Sequence, residues 1–220
     1  MDVEPTFPHQ MVKPSGQPET DTRQRILDAA DEIFVRRGID GARMQEIADH
    51  AGVNKALLHY YFRSKANLAQ AVWLRIASSF VPGILEMLAS DLSLGDKIDR
   101  FVDAYHTTLT QHPYLLAYVI GEAARHPDLV DDFYSSERRQ TARRMIDRLQ
   151  EQIDDLVKGR RVEPVSAEQF LITLVGSCLF PFAARPMIAT VLGLDATGVR
   201  KVIERRRTEL PAFLKRALHP

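Results

Sequence analysis

Cysteine is almost missing from this chain: Cys178 stands alone in 220 residues. No intramolecular disulfide can form, and the sequence suits a reducing cytosol. Cys178 reads as a small buried hydrophobe rather than a redox sensor. Net charge is missing too, since 29 Lys and Arg face 29 Asp and Glu. A chain that coats polyanions without selectivity would carry a strong cationic excess, so that class is disfavoured. Long apolar runs are also lacking. Residues 170–184 hold no charge, but Pro181 interrupts them, and they fall short of the roughly 20 residues of a membrane span. No apolar core of a signal peptide opens the sequence. Catalytic signatures are missing as well: there is no GxGxxG, P-loop, GxSxG or HExxH. Gly176-Ser177-Cys178 lies in an apolar helical stretch without the second elbow glycine. The seven His show no ligand spacing. No catalytic residue, metal or cofactor is expected, and the chain does not read as an enzyme.

What remains is helical periodicity. Residues 1–20 carry Pro5, Pro8, Pro14 and Pro18 among polar residues and are expected to be a disordered arm. About nine helices are predicted after them. The first covers about 22–37, with Ile26, Ala29, Ala30, Ile33 and Phe34 inward and Gly38 as its stop. Two short helices fill 43–65. A fourth starts at Lys65 and is ended or kinked at Pro82-Gly83, with a continuation over 84–89. Others are predicted over about 96–111, 113–125, 128–158, 167–180 and 196–218, the last bent at Pro211. Ser166 with Gln169 makes a capping box, and Asp195 is a further cap. No segment alternates as a strand would, so the fold class is all-α.

Residues 43–65, RMQEIADHAGVNKALLHYYFRSK, are the most informative. Met44, Ile47, Ala48 and Ala51 give one apolar face. Gly52 suits a left-handed helix end, and Asn54 caps the next helix. A helix, a short glycine turn and a second helix make a helix-turn-helix, whose second helix enters the major groove of DNA. In that helix Leu58 and Phe62 face inward. Lys55, Ala56, Leu57, His59, Tyr60 and Tyr61 remain on or near the outer face, with no carboxylate among them. Residues 22–66 carry eight Lys/Arg against six Asp/Glu, a net of +2, so the placement of the cations counts for more than their number.

The stretch from Thr22 to Leu68 resembles the DNA-binding domain of the tetracycline-repressor (TetR) family of bacterial transcription regulators. It carries TRQRILDAADEIFVRRGIDG, then the IA…AGV…LL.YYF.SK.NL pattern. The resemblance implies an all-helical homodimer. A DNA-binding domain over 21–66 would grip a palindromic double-stranded operator, and a bundle over 67–220 would dimerise and bind a small-molecule inducer. The implied role is a repressor in the bacterial cytoplasm, at the nucleoid and away from membranes. An architectural DNA-binding protein is the alternative, and a small-molecule enzyme a remote one.

The expected DNA contacts are Arg43, Gln45, Lys55, Ala56, Leu57, His59, Tyr60, Tyr61 and Lys65. Three positions depart from the family pattern. His59 stands where Tyr is common, Ala42-Arg43 where Thr or Ser caps a helix, and Leu57 where a polar base-reader often lies. Leu57 could meet a thymine methyl instead. The implied pocket draws on Trp73, Phe80, Phe101, Tyr105, Tyr114, Tyr118 and Glu122, although a stripe of aromatics more often forms core, and a Glu such as Glu122 more often faces solvent. The dimer surface is expected on the helices over 167–180 and 196–218, through Phe170, Leu171, Leu174, Val175, Cys178, Val202, Ile203, Leu210 and Phe213.

Overall fold

A computed structural model describes residues 18–112, 115–159 and 163–218. These form eleven helices and no strand: α1 (Pro18–Gly41), α2 (Met44–Ala51), α3 (Lys55–Phe62), α4 (Lys65–Ala89), α5 (Leu94–Gln111), α6 (Leu115–Arg125), α7 (Pro127–Phe133), α8 (Ser136–Lys158), α9 (Ala167–Ala183), α10 (Arg185–Leu192) and α11 (Ala196–Leu218). Of the arm expected over 1–20, residues 1–17 lie outside the described residues, and 18–20 are not disordered but form the first turn of α1.

The count exceeds the nine predicted, for local reasons. The helix predicted over 128–158 is two helices. The chain turns at Tyr134, where φ is −82° and ψ 72°, and α8 restarts at Ser136. Consecutive serines, poor in helix interiors and good at their starts, stand at the break. The segment after α9 is not a linker. Ala184 leaves the helical region, Pro186 stands in the first turn of α10, and Gly193 caps its end in the left-handed conformation at φ 62°, the arrangement these two residues favour. The axes of α9 and α10 differ by 76°. Pro82 does not end α4, which continues through it to Ala89.

The helices divide into two compact units. The first runs up to Val81 and takes in Ala117–Ser135; the second comprises Pro82–Leu116 and the chain from Ser136 onward. In the first, the predicted stripe of α1 is buried, together with Ile47, Ala48, Leu58, Phe62, Leu68 and Val72. Trp73 is buried as well. Its indole N–H donates to the Val119 carbonyl at 3.2 Å, and its ring meets the Phe133 edge. By length and composition α4 could cross a membrane, yet it carries Arg75, whose guanidinium reaches Asp28 at 2.7 Å, Asp31 and the Leu27 carbonyl on α1.

In the second unit α5 packs against α11, α9 and α8. Leu109, Phe182, Val199 and Ile203 form a core cluster, with Tyr105, Leu179, Ala189 and Leu194 against it. Arg207–Asp103 at 2.6 Å and Lys215–Asp99 at 2.5 Å flank the α5–α11 seam. Lys97 is fully buried and donates to Gln152 at 2.8 Å. Burial is the main cause that lowers its ammonium to about 8. Cys178 is buried, and desolvation pushes its thiol up to about 12.

The expected dimer residues need correction. Phe170, Leu174, Cys178, Ile203 and Leu210 lie in the interior of the single chain. Leu171, Val175 and Val202 are half-buried, and of the expected set only Phe213 is well exposed, at 61%. The apolar surface that does face outward is Ile172, Phe180, Met187, Val191 and Leu192 on α9 and α10. A charge placed at Leu174 would therefore break the core rather than a surface contact.

Asp31 supplies a test of the first unit. Burial raises its carboxyl from 3.8 to about 6, against the lowering influence of Arg75. The folded chain therefore holds this proton more tightly than the unfolded one. The resulting stability is complete below about pH 4 and is lost as pH rises through about 6. Asp31→Asn should change stability little at pH 4 and gain about 1–3 kcal/mol on the native chain by pH 7.5. Denaturant unfolding across that range measures the difference, and a pH-independent difference would contradict the burial argument.

Candidate nucleic-acid interface

The candidate interface is built from helix ends. The α2 helix starts at Arg43, an extended residue with no side-chain cap, as the missing Thr or Ser leads one to expect. It buries Ile47, Ala48 and Ala51 and packs on α1 and α3. Gly52, at φ 66° and ψ 36°, closes it with its N–H on the Ala48 and Asp49 carbonyls. The Val53 N–H also returns to Ala48, at 3.0 Å. This doubled closure uses the carbonyls that a helix end otherwise leaves unsatisfied. Two residues later the Asn54 carboxamide accepts the Leu57 N–H at 2.7 Å and starts α3.

The eight residues of α3 split cleanly. Leu58 and Phe62 are buried. Lys55, Ala56, His59 and Tyr60 are exposed, Tyr60 at 73%. Leu57 and Tyr61 are half-buried, and the Tyr60 ring stands edge-on to Tyr61 at 5.3 Å. Arg23, near the start of α1, lies over the Phe62 ring at 5.4 Å. Arg63 ends α3 at φ 58° and ψ −49°, the one described non-glycine residue with positive φ. Its N–H donates to the His59 carbonyl at 2.8 Å. The ring Nδ1 of His59 returns to the Arg63 carbonyl at 3.0 Å. Ser64 then caps α4 by accepting the Asn67 N–H at 3.1 Å.

Charge around this surface is sorted by partner. Glu46 is held by Arg37 at 2.9 Å, Asp49 accepts from Gln45 at 2.7 Å, and Glu32 meets His50 at 3.2 Å. Arg43, Lys55 and Arg63 are exposed cations. Lys65 stands in the first turn of α4, half-buried, and donates to the Asp40 carbonyl at 3.0 Å. An ammonium has three donors, so this bond leaves room for an anion at a helix start, where the dipole favours one. Of the nine expected DNA contacts, Arg43, Gln45, Lys55, Ala56, His59 and Tyr60 are exposed, and Leu57, Tyr61 and Lys65 half-buried. Arg63 was not among them, although its charge and its place after Phe62 were visible in the sequence.

The expected pocket residues fall in both units. Trp73, Phe80, Tyr118 and Glu122 belong to the first, Phe101 and Tyr105 to the second. Tyr114 lies outside the described residues. Phe101 is fully buried and stacked on Tyr105 at 4.4 Å. Phe80 is half-buried, and Tyr118 is buried. Glu122 corrects the solvent-facing expectation: it is 1% exposed, because Arg125 and the Ile39 N–H meet its carboxylate.

Residues 26–72 match the family model for bacterial regulatory proteins of the tetR family. The HTH-type transcriptional activator FasR of Mycolicibacterium smegmatis is 38% identical over 88 residues, 40% of this chain and 40% of that one. The HTH-type transcriptional repressor NemR of Escherichia coli K12 is 31% identical over 93 residues, 42% of this chain and 46% of its own. Each alignment thus spans less than half of the relative. Among solved structures, Salmonella enterica GusR shares the fold at TM-score 0.60 and 19% identity, over 93% of this chain and 98% of that one. The FadR regulator of Bacillus subtilis, solved with stearoyl-CoA, shares it at TM-score 0.57 and 15% identity, over 90% and 100%.

Arg63 yields a direct stability test. A side chain at this positive φ costs on the order of 1–3 kcal/mol, which glycine avoids. Arg63→Gly and Arg63→Ala both remove the guanidinium, but only glycine relieves the backbone. The glycine variant should melt about 2–4 °C above the alanine variant for each kcal/mol relieved. Equal melting temperatures in a thermal scan would refute the strain.

Proposed function

The chain carries the DNA-binding domain of the tetR family of bacterial regulatory proteins, and on that premise we propose a sequence-specific transcriptional repressor. It binds a palindromic operator as a two-fold dimer in the bacterial cytoplasm and is released by a small, mostly apolar ligand. The observation that carries the reading is α3 itself: Lys55, Ala56, His59 and Tyr60 exposed, no carboxylate, and Asn54 and Arg63 closing its ends. In this reading Arg43, Arg63 and Lys65 hold phosphates and fix register. Lys55, Tyr60 and their neighbours read base edges, Leu57 contributes apolar contact, and Gln45 approaches from α2. Zero net charge weighs against a purely architectural binder, whose affinity would rest on phosphate contacts alone.

The direction of control is part of the proposal, since one relative is named an activator and the other a repressor. So is the ligand. The FadR neighbour, solved with stearoyl-CoA, supports a largely apolar molecule. Release requires it to bind the DNA-incompetent arrangement more tightly, and it weakens operator binding only by that difference. Two recognition helices in successive major grooves must stand about 34–36 Å apart, so a change in their spacing suffices for release.

Selection from random duplex DNA tests the core of this reading. A palindromic site is expected, and failure to enrich any sequence would remove it. On the selected site, Lys65→Ala should weaken binding to all sequences and lower the salt slope by about one phosphate contact. Lys55→Ala and Tyr60→Ala should instead change base preference, by about 1–3 kcal/mol per lost contact.

Dimerisation has its own test, moved to the face that is exposed. Ile172, Phe180, Met187, Val191 and Leu192 are exposed large hydrophobics on two successive helices, and exposed apolar surface of that kind marks an interface. Ile172→Glu combined with Phe180→Glu should keep the fold, give monomers in light scattering and lose the operator. A native chain that is monomeric at micromolar concentration would refute the dimer.

A further inference from the structure

One buried carboxylate in the first unit lies away from the reading surface yet holds its foundation. Gly38, at φ 71° and ψ 169°, breaks α1, which resumes for one turn over 39–41. The break removes the ordinary intrahelical acceptor of the Ile39 N–H. Glu122 of α6 replaces it, its Oε1 accepting that N–H at 3.3 Å. A carboxylate at the start of a helical turn is favoured by the turn's dipole. The same oxygen lies in van der Waals reach of Gly38, where a Cβ would stand 3.4 Å from it, and the positive φ there favours glycine. The turn leads directly to Ala42, whose N–H donates to the Ile39 carbonyl at 3.3 Å, and then to Arg43 and α2. Lys65, at the start of α4, grips the same turn through the Asp40 carbonyl at 3.0 Å.

This arrangement is costly. Among the described residues, Glu122 Oε2 and the Tyr118 hydroxyl are buried with no hydrogen-bond partner. The nearest cation to Oε2 beyond Arg125 is His126, with Nε2 at 3.8 Å, when protonated. The Tyr118 phenol is pushed above its ordinary range by burial first, then by the charges of Glu122 and Asp31. An apolar side chain of equal size would often be no less stable than a buried charge. Stability alone therefore does not explain the residue, whereas fixing the turn does.

We propose that Glu122 is a positioning residue for operator binding. Its hydrogen bond to Ile39 sets the turn over 39–41, and through that turn the seat of α2 and of the α4 N-terminus. The inference rests on the DNA-binding reading above.

The test compares Glu122→Met, which keeps length and loses the acceptor, with Glu122→Gln, which keeps an acceptor oxygen, and Arg125→Ala, which keeps the Glu122 carboxylate and removes a cation shared by Glu122 and Asp40. Two quantities are read: amide exchange at Ile39 without DNA, and affinity for the site selected by the native chain. The Met variant should lose Ile39 protection and bind the operator on the order of tenfold more weakly. The Gln and Arg125→Ala variants should stay near native in both. A folded Met variant with native Ile39 protection or native operator affinity overturns the inference, as does a Gln variant that fails like Met. If the Met variant does not fold, Gly38→Ala decides: it should show the same paired loss, and native behaviour refutes the proposal. A native chain that selects no site defeats the regulator reading itself. A native chain that binds while these variants match it defeats only the role of Glu122.

Discussion

Two helices of eight residues each do not persist in water by themselves, because nucleation is unfavourable and most such helices owe their stability to packing. The proposed reading surface of this protein consists of two such helices. Everything about it depends on closing their ends and pinning them to longer neighbours. Gly52 and Val53 close α2 on the Ala48 and Asp49 carbonyls, Asn54 opens α3, and Ser64 opens α4. The inward faces then need only a few residues: Ile47, Ala48 and Ala51 from one helix, Leu58 and Phe62 from the other. The rest of each helix is left for recognition.

The electrostatic design follows from the same economy. A globally neutral chain can still present a cationic face if its acids are occupied and its bases are not turned toward them. Arg37 and Gln45 occupy Glu46 and Asp49, while α3 has no acid at all. In the proposed reading, such a surface would discriminate better than a diffuse positive field, since less of its affinity would be independent of sequence.

Legibility in the sequence tracked how local the determining physics was. The helix-turn-helix was readable because its signals, Gly52, Asn54 and the apolar spacing, act within four residues. The Pro186 in the first turn of α10 and the Gly193 that caps its end were equally local signals, but the segment is short enough to pass for a linker. The outward face of α9 was not readable. That helix is apolar nearly all round, so periodicity does not tell Leu174, which is buried, from Ile172, 63% exposed. Only the packing of α5, α8 and α11 against it decides. Glu122 was misplaced for a related reason, since the N–H that draws it inward belongs to a residue 83 positions earlier. Arg63 shows the opposite limit, because a strained φ on an arginine leaves no trace in composition.

Cys178, the only thiol, is buried and held near a pKa of 12, so at neutral pH its reactive thiolate is on the order of one part in 10⁵. The native chain is thus nearly silent to maleimides, iodoacetamides and mild oxidants. A cysteine introduced on the α3 surface, where Tyr60 stands, would be alkylated almost alone, with no need to remove the native thiol first. A spectroscopic label placed this way would report on the α3 surface alone in the otherwise unmodified protein.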